Sequence, residues 1–323
     1  MSYLRNRVNF GATEGAVPRR TLKSAIGCVG AGLHSGLDVS LNLRPAPVGT
    51  GIVFHRTDLN VTIPALYDHV TDTRLCTVVS LAENPAARVG TIEHLMAALA
   101  ACRIDDLIIE VDAAELPILD GSAAPFLFLI ESAGISEHGG AREYIEVLRT
   151  VRVSQGEAFA ELRPHQSSAY PATGLDLSLA IDFAAPAIGR QALNLSLTAE
   201  TFASDLAPAR TFTMAAEVEA LRSMGLARGG SLANAIVVDG DKILNPDGLR
   251  WQDEFVRHKL LDVVGDLALS GTPVSGRFFG NRTGHGLNNQ LLRELFSNAE
   301  NYRIVQAPFV GAPMLMPAAA APV

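Results

Sequence analysis

The sequence predicts an α+β fold in two domains, and three observations predict it. The chain has 323 residues, about twice the usual domain size. Each half reads as strands, a helix, a strand and a second helix, an order that puts helices on one face of each sheet. An extra segment, about 214–245, sits inside the second half and reads as an insertion: a helical stretch at 215–224, a Gly229-Gly230 turn and a strand at 235–238. The expected divisions are a flexible N-terminal tail over 1–18, domain I over 19–143, domain II over 144–312 and a C-terminal tail over 313–323.

Residues 21–43 alternate as strands around the turn GAGLHSG, and 53–65 continues as strand. Residues 91–102 form a helix that Thr91 can cap, with Leu95, Ala98, Leu99 and Cys102 on one face. The run LIIEV at 107–111 is a buried strand, and a second helix starts at Pro125. In the second half, 145–153, 158–162 and 175–183 read as strands. A helix at 255–269, a short strand at 278–280 and a helix at 287–296 follow.

Composition narrows the function. Hydrophobic residues at 48% exclude whole-chain disorder, and a chain of this length folds without disulfides or a structural metal. A net charge of −8 argues against a general nucleic-acid surface, though not against an anionic small molecule held by a few cations. Cys28, Cys76 and Cys102 are scattered, without a CxxC, so no disulfide framework or thiolate metal site is indicated. The longest apolar run, 95–102, is too short to span a bilayer. The opening MSYLRNRVNFGATEG lacks a signal-peptide apolar region. The expectation is a cytoplasmic monomer acting on a small molecule.

Four segments can carry chemistry. On the helix at 254–268, His258, Asp262 and Asp266 recur every four residues on one stripe, opposite Leu260, Leu261, Val264 and Leu267. Such a stripe is either a solvated polar face or a metal site, since His and Asp at i and i+4 project their ligand atoms together. Lys259 beside it adds an anion contact. Glu93-His94 opens the first helix. This is either a carboxylate placed well at a helix N-terminus or a metal-binding His beside a general base for water. RTGHGLNN at 282–289 sets His285 in a Gly-rich turn, where it is positioned by backbone or belongs to a capping loop with Asn288 as the cap. ARTF at 209–212 offers Thr211, either an oxyanion donor or a helix cap. His34 lies in the GAGLHSG turn; His55, His69, His138 and His165 show no partner pattern.

GLHSG (32–36), TIEHLMAALA (91–100), IDDLIIEVDAAELPILDGSAAPF (104–126), ARTF (209–212), FVRHKLLDVVGDL (255–267) and SGRFFGNRTGHGLNN (275–289) occur in this order. Together they resemble the zinc-dependent UDP-3-O-acyl-N-acetylglucosamine deacetylase family of lipid A biosynthesis. The resemblance runs from about residue 20 to 310. It implies two sheet-and-helix sandwiches, each with two helices on its sheet, facing each other across the active site. It also implies an inserted βαβ element in the second domain that forms an apolar passage for the acyl chain.

The resemblance further implies a metal on His94, His258 and Asp262. That set is three protein ligands with a fourth position open, which suits Zn2+ and also Fe2+. Glu93 would be the general base and Thr211 the oxyanion donor. His285 would be the cation that protonates the leaving amine, held charged by Asp266. Lys259 would contact substrate oxygens, and Phe212, Leu33, Leu75 and Cys76 would line the substrate's path. Arg282 would meet the diphosphate, for which a guanidinium fork is suited. Two departures stand out. Where several members carry a Lys, this chain reads Val147-Leu148-Arg149, and Arg149 would point to the opposite face of a strand. Arg74 occupies a position that is often apolar.

The reaction implied is removal of the N-acetyl group from UDP-3-O-acyl-N-acetylglucosamine, giving the free amine and acetate. Two other readings share the fold: a non-catalytic binding protein, or a deacylase of a related nucleotide sugar. Loss of Glu93, His94, His258, Asp262 or His285 would favour the binding protein, and all five are present.

Overall fold

Strict alternation builds the first sheet. The strand Asp38–Pro45 buries Val39, Leu41 and Leu43 and exposes Asp38, Ser40 and Arg44. In the computed structural model, which describes residues 17–165 and 174–306, this strand belongs to a five-stranded sheet. Its order is Ile26–Ala31, Asp38–Pro45, Leu107–Val111, Ile52–Arg56 and Val61–Pro64. Only the Leu107–Val111/Ile52–Arg56 pair is parallel. Two helices follow in the first half, α1 (Glu93–Ala101) and α2 (Ala124–Ala133), the latter started by Pro125 in its first turn.

The second half carries a seven-stranded sheet centred on Val274–Asn281. That strand pairs antiparallel with Ala158–Arg163 and parallel with both Glu143–Val147 and Leu175–Asp182. A single turn, α3 (Ala199–Thr201), is capped reciprocally by Thr198 and Thr201. The inserted element follows. Strand Phe212–Met214 leads into α4 (Ala215–Ser223) and returns in the parallel strand Ile236–Asp239, a βαβ unit extended by Lys242–Ile243. Then come α5 (Glu254–Ala268) and α6 (His285–Ser297).

Several local expectations change. Residues 145–153 are two strands, Glu143–Val147 and Val151–Gln155. The strand expected at 278–280 runs over Val274–Asn281, because Gly276 lies against Arg163 O in the pairing rather than in a turn. Strands Val70–Asp72, Val78–Leu81, Asn84–Val89, Arg190–Ser196 and Tyr302–Gln306 carried no sequence signal strong enough to read. Thr91 does not cap α1: its φ is +55°, and the residue before the helix is Ile92, with no side-chain cap bond. Residues 1–16 and 307–323, including most of both expected tails, lie outside the described residues.

The consequential difference is in burial. The apolar face predicted for α1 is one stripe, yet Glu93 through Leu99 are all buried. A helix buried all round has packing partners on every side. Here α5 crosses α1 on the side facing the second half. The contact is backbone to backbone: a Cβ on Gly265 would lie 2.0 Å from Glu93 O. We therefore expect Gly265→Ala to destabilise the protein by about 1–3 kcal/mol or more through overpacking. Urea unfolding measures this, and an unchanged midpoint would show that the helices can separate freely.

Candidate functional site

The crossing of α1 and α5 brings together residues far apart in sequence. The first turn of α1 supplies Glu93 and His94, and α5 supplies His258, Lys259, Asp262 and Asp266. The start of α6 supplies His285. The stripe on α5 is not solvated: His258, Asp262 and Asp266 are 3%, 3% and 2% exposed. A pocket opens over it, lined by Leu33, Leu75, Cys76, Thr91, Glu93, His94, Ile118, Phe183, Thr211, Phe212, His258, Lys259, Asp262 and His285.

His94, His258 and Asp262 offer ligand atoms that all lie within 4.8 Å of one another. His94 Nε2 is 3.8 Å and His258 Nε2 3.5 Å from Asp262 Oδ1. The Nδ1 of His258 is 3.0 Å from Ala209 O; assigned as the donor there, it leaves Nε2 with its lone pair towards the cluster. Asp262 Oδ2 accepts from Lys259 Nζ at 2.7 Å. Its Oδ1 is buried and has no hydrogen-bond partner among the described residues. An orphaned carboxylate oxygen between two imidazole nitrogens fits a divalent cation and little else.

Burial sets the protonation states first, and neighbours then divide them. His94 is pushed down to about 3 by burial and by His258, and His258 is lowered mainly by burial, so both imidazoles are neutral and could serve as ligands. Burial would raise Asp262, but Lys259, His258 and His285 outweigh it and hold the carboxyl below its usual range. Burial opposes the charge on Lys259, yet Asp262 raises it. Glu93 is pushed up to about 7 by burial, with Asp262 and Asp266 adding and His285 opposing. Burial would lower His285, but the charge of Asp266 and the hydrogen bond that His285 Nδ1 donates to its Oδ2 at 2.9 Å raise it to about 9.

The segment Ala209-Arg210-Thr211-Phe212 is anchored by a buried ion pair. Glu254, fully buried at the start of α5, accepts from Arg210 N and Nε at 3.1 and 2.9 Å and from Arg250 N at 2.6 Å. Phe212 stacks edge-on to Phe183 and Phe255 and lies 6.3 Å from the His258 ring. Leu33, Leu75 and Cys76 reach the pocket wall from two loops of the first half.

Arg282 is elsewhere. It is half-exposed, does not line this pocket, and pairs with Glu157 and Asp182. Arg149 pairs with Glu300 on the surface, and Arg74 with Asp72. The apolar set of the insertion does not line this pocket either: Ile236 and Val238 are in the core, and Met224 and Leu232 are exposed. His34 is held through its backbone N by Glu115, while both its ring nitrogens are buried without a partner among the described residues. Sequence reasoning missed Thr77, Ile118, Phe183 and Glu254. Only the adjacency of Thr77 to Leu75-Cys76 hinted at any of them.

A family model described as UDP-3-O-acyl N-acetylglycosamine deacetylase (LpxC) matches residues 19–297. The UDP-3-O-acyl-N-acetylglucosamine deacetylase of Haemophilus influenzae (strain 86-028NP) is 47% identical over 293 residues, covering 90% of this chain and 93% of its own. That of Pasteurella multocida (strain Pm70) is 47% identical with the same coverage. That of Shewanella halifaxensis (strain HAW-EB4) is 46% identical over 291 residues, covering 89% and 92%.

Because Glu254 holds the segment that carries Thr211 and the Ala209 carbonyl, Glu254→Ala would strand Arg210 as a buried charge. A loss of about 3–5 kcal/mol is expected. Thermal unfolding of the variant measures it, and a stability equal to that of the parent would mean that the pair does not anchor the segment.

Proposed function

The chain belongs to the UDP-3-O-acyl N-acetylglycosamine deacetylase family, and on that premise we propose that it is a metal-dependent hydrolase of UDP-3-O-acyl-N-acetylglucosamine. It removes the N-acetyl group to give UDP-3-O-acyl-glucosamine and acetate, a step of lipid A biosynthesis. The observation that carries this reading is the three-donor cluster with its orphaned Asp262 oxygen, beside two proton-handling groups held apart in protonation. The family is metal-dependent, and we take the metal to be zinc on His94, His258 and Asp262. Bound there, it supplies a Lewis acid that polarises the amide carbonyl and acidifies the attacking water.

The chain's own residues do the rest. Glu93 accepts the proton of the water as its oxygen bonds to the acetyl carbon. Thr211 donates its hydroxyl to the carbonyl oxygen as negative charge develops. His285, kept charged by Asp266, delivers a proton to the sugar nitrogen as the C–N bond breaks and acetate leaves. Lys259 holds Asp262 ionised and faces substrate oxygens from the pocket wall. Phe212, Leu33, Leu75 and Cys76 give the substrate apolar walls. A diphosphate contact by Arg282 requires its guanidinium to leave Glu157 and Asp182.

We place the divide between the domains at about 143/144, where the chain passes from Ile135–Ala141 into Glu143–Val147. Ile135–Ala141 pairs with Pro18–Leu22 of the first half, and Glu143–Val147 joins the second sheet. No helix among the described residues is long and apolar enough to cross a membrane, and all three cysteines are free. Both agree with work in a reducing cytoplasm.

The test is acetate release from the acylated UDP-sugar with and without chelator, with circular dichroism alongside. Release should stop on chelation and return with zinc while the fold persists. It should also fall by orders of magnitude on the substrate without its acyl chain, because chain burial supplies about 0.8 kcal/mol per methylene at best. Chelator-insensitive release, or none, would sink the reading.

The pH profile gives a further test. Glu93 must be ionised, so the rate rises as pH passes its pKa. Burial sets that at about 7, and a cation on the adjacent His94 moves it lower. His285 must be protonated, so the rate falls as pH rises through about 9. Glu93→Ala and His285→Ala should each lower kcat by about 10² to 10⁴. An alkaline limb that survives in His285→Ala would remove His285 from its role.

A further inference from the structure

Thr77 touches both proton-handling arms of the site, and it is buried, 1% exposed, just before the strand Val78–Leu81. Its backbone N–H donates to Glu93 Oε2 at 3.0 Å. Its hydroxyl donates to Asp266 Oδ1 at 2.6 Å, across 189 residues of sequence. The other Asp266 oxygen, Oδ2, receives His285 Nδ1 at 2.9 Å and Asn288 Nδ2 at 2.8 Å. Asn288 is held in turn, its Oδ1 accepting from Thr283 Oγ1 at 2.8 Å.

A carboxylate torsion is broad and two-fold, so an Asp bonded through one oxygen can still rotate. Donors on both oxygens remove that freedom. Asp266 is therefore fixed as a plane, and His285 is aimed by it. Likewise the Thr77 N–H holds the Glu93 carboxylate through Oε2.

We propose that Thr77 is a positioning residue that sets Asp266, and through it His285, in register with Glu93. This rests on the deacetylase reading above. The hydroxyl does not react; its proton stays on Oγ1, and it never touches substrate. Thr77 reaches the cluster from the loop that also carries Leu75 and Cys76 of the pocket wall.

The test uses the full-length, metal-loaded protein. Thr77→Val keeps the shape and the backbone N–H but removes the hydroxyl; Thr77→Ser restores it. Thr77→Val should lower kcat by about 10- to 100-fold, the scale of a small misplacement of a reacting group. KM should stay within about threefold, because the lost alignment matters only in the transition state. Thr77→Ser should recover most of kcat, and metal content should be equal in all three proteins. The downfield proton resonance of His285 Nδ1–H, read in histidine-labelled protein, should shift in Thr77→Val and return in Thr77→Ser. Should Thr77→Val not fold, Thr77→Ala is read by the same quantities. A kcat equal to the parent's, a deficit that Ser does not rescue, an unshifted His285 resonance, or a loss traced to missing metal each overturns the proposal. An inactive parent removes the deacetylase reading and this proposal with it. An active parent with an equally active Thr77→Val removes this proposal alone.

Discussion

The site depends on one contact, the backbone crossing of α1 and α5 at Gly265. With no side chain there, Glu93 O comes so close that a Cβ would lie 2.0 Å from it. Everything else follows from two rigid helices meeting at a fixed point. Glu93 and His94 lie at the contact, and Asp262 and Asp266 flank Gly265 on the facing helix, with His258 one turn further back. Candidate donor atoms from the two halves, His94 Nε2 and Asp262 Oδ1, are thereby held 3.8 Å apart without any loop having to order. Sites built on helices are more exact than sites built on loops for this reason.

The same contact creates the electrostatic problem that the neighbouring residues solve. It buries Glu93, Asp262, Asp266 and the imidazoles of His94 and His258 in one cluster, with Lys259 and His285 partly buried at its edge. Burial disfavours the charged forms of Glu93, Asp262, Lys259, His285 and the two imidazoles. Lys259 keeps Asp262 charged, and Asp266 keeps His285 charged. His94 and His258, without an acid bonded to either ring, stay neutral and available as ligands. Glu93 is left as the balancing group. When it is protonated the two acids and two cations cancel, and when it is ionised the cluster carries one excess negative charge. A divalent ion therefore favours the ionised base, so metal binding and base activation are linked by charge alone.

Much of this was legible in the sequence where a single element carried the signal. The helices α1, α5 and α6 were found within two residues of their ends, from apolar periodicity and the Gly-rich turn before His285. The inserted βαβ element was found from its glycine turn and its flanking strand. The stripe of His258, Asp262 and Asp266 was visible, but its burial was not. Periodicity reports which residues share a face and says nothing about what another half of the chain lays over it. Thr77 and Glu254 were missed for the same reason, since their meaning lies in partners 189 and 44 residues away. The diphosphate role of Arg282 rests on the resemblance, which implies a basic residue at that position. In the structure its φ of +50° and the carboxylates of Glu157 and Asp182 turn it aside. The strands at 70–72, 78–81 and 84–89 are short and joined with register shifts, so no alternation survives to be read.

The two halves also meet on the far side of the pocket, and there the contact is of a different kind. The loop at 32–36 docks on the turn at 228–230 of the inserted element. Leu33 O accepts from Gly229 N at 3.0 Å and His34 O from Arg228 N at 3.3 Å. A Cβ on Gly229 would lie 2.2 Å from Gly32 O, so this too is backbone against backbone. Glu115 holds the loop from behind, accepting from His34 N and Ser35 N at 3.0 and 2.6 Å. The difference is what surrounds each joint. On α1 and α5, Leu95, Leu261 and Val264 are all in the core; Leu37, Met224 and Leu232, close in sequence to the loop joint, are all exposed. Separating α1 from α5 would expose core surface, whereas parting the loops costs two hydrogen bonds that water can replace. The pocket thus has one wall fixed by the core, which carries the proposed metal ligands and acid–base groups, and another, bearing Leu33, that is held by loops.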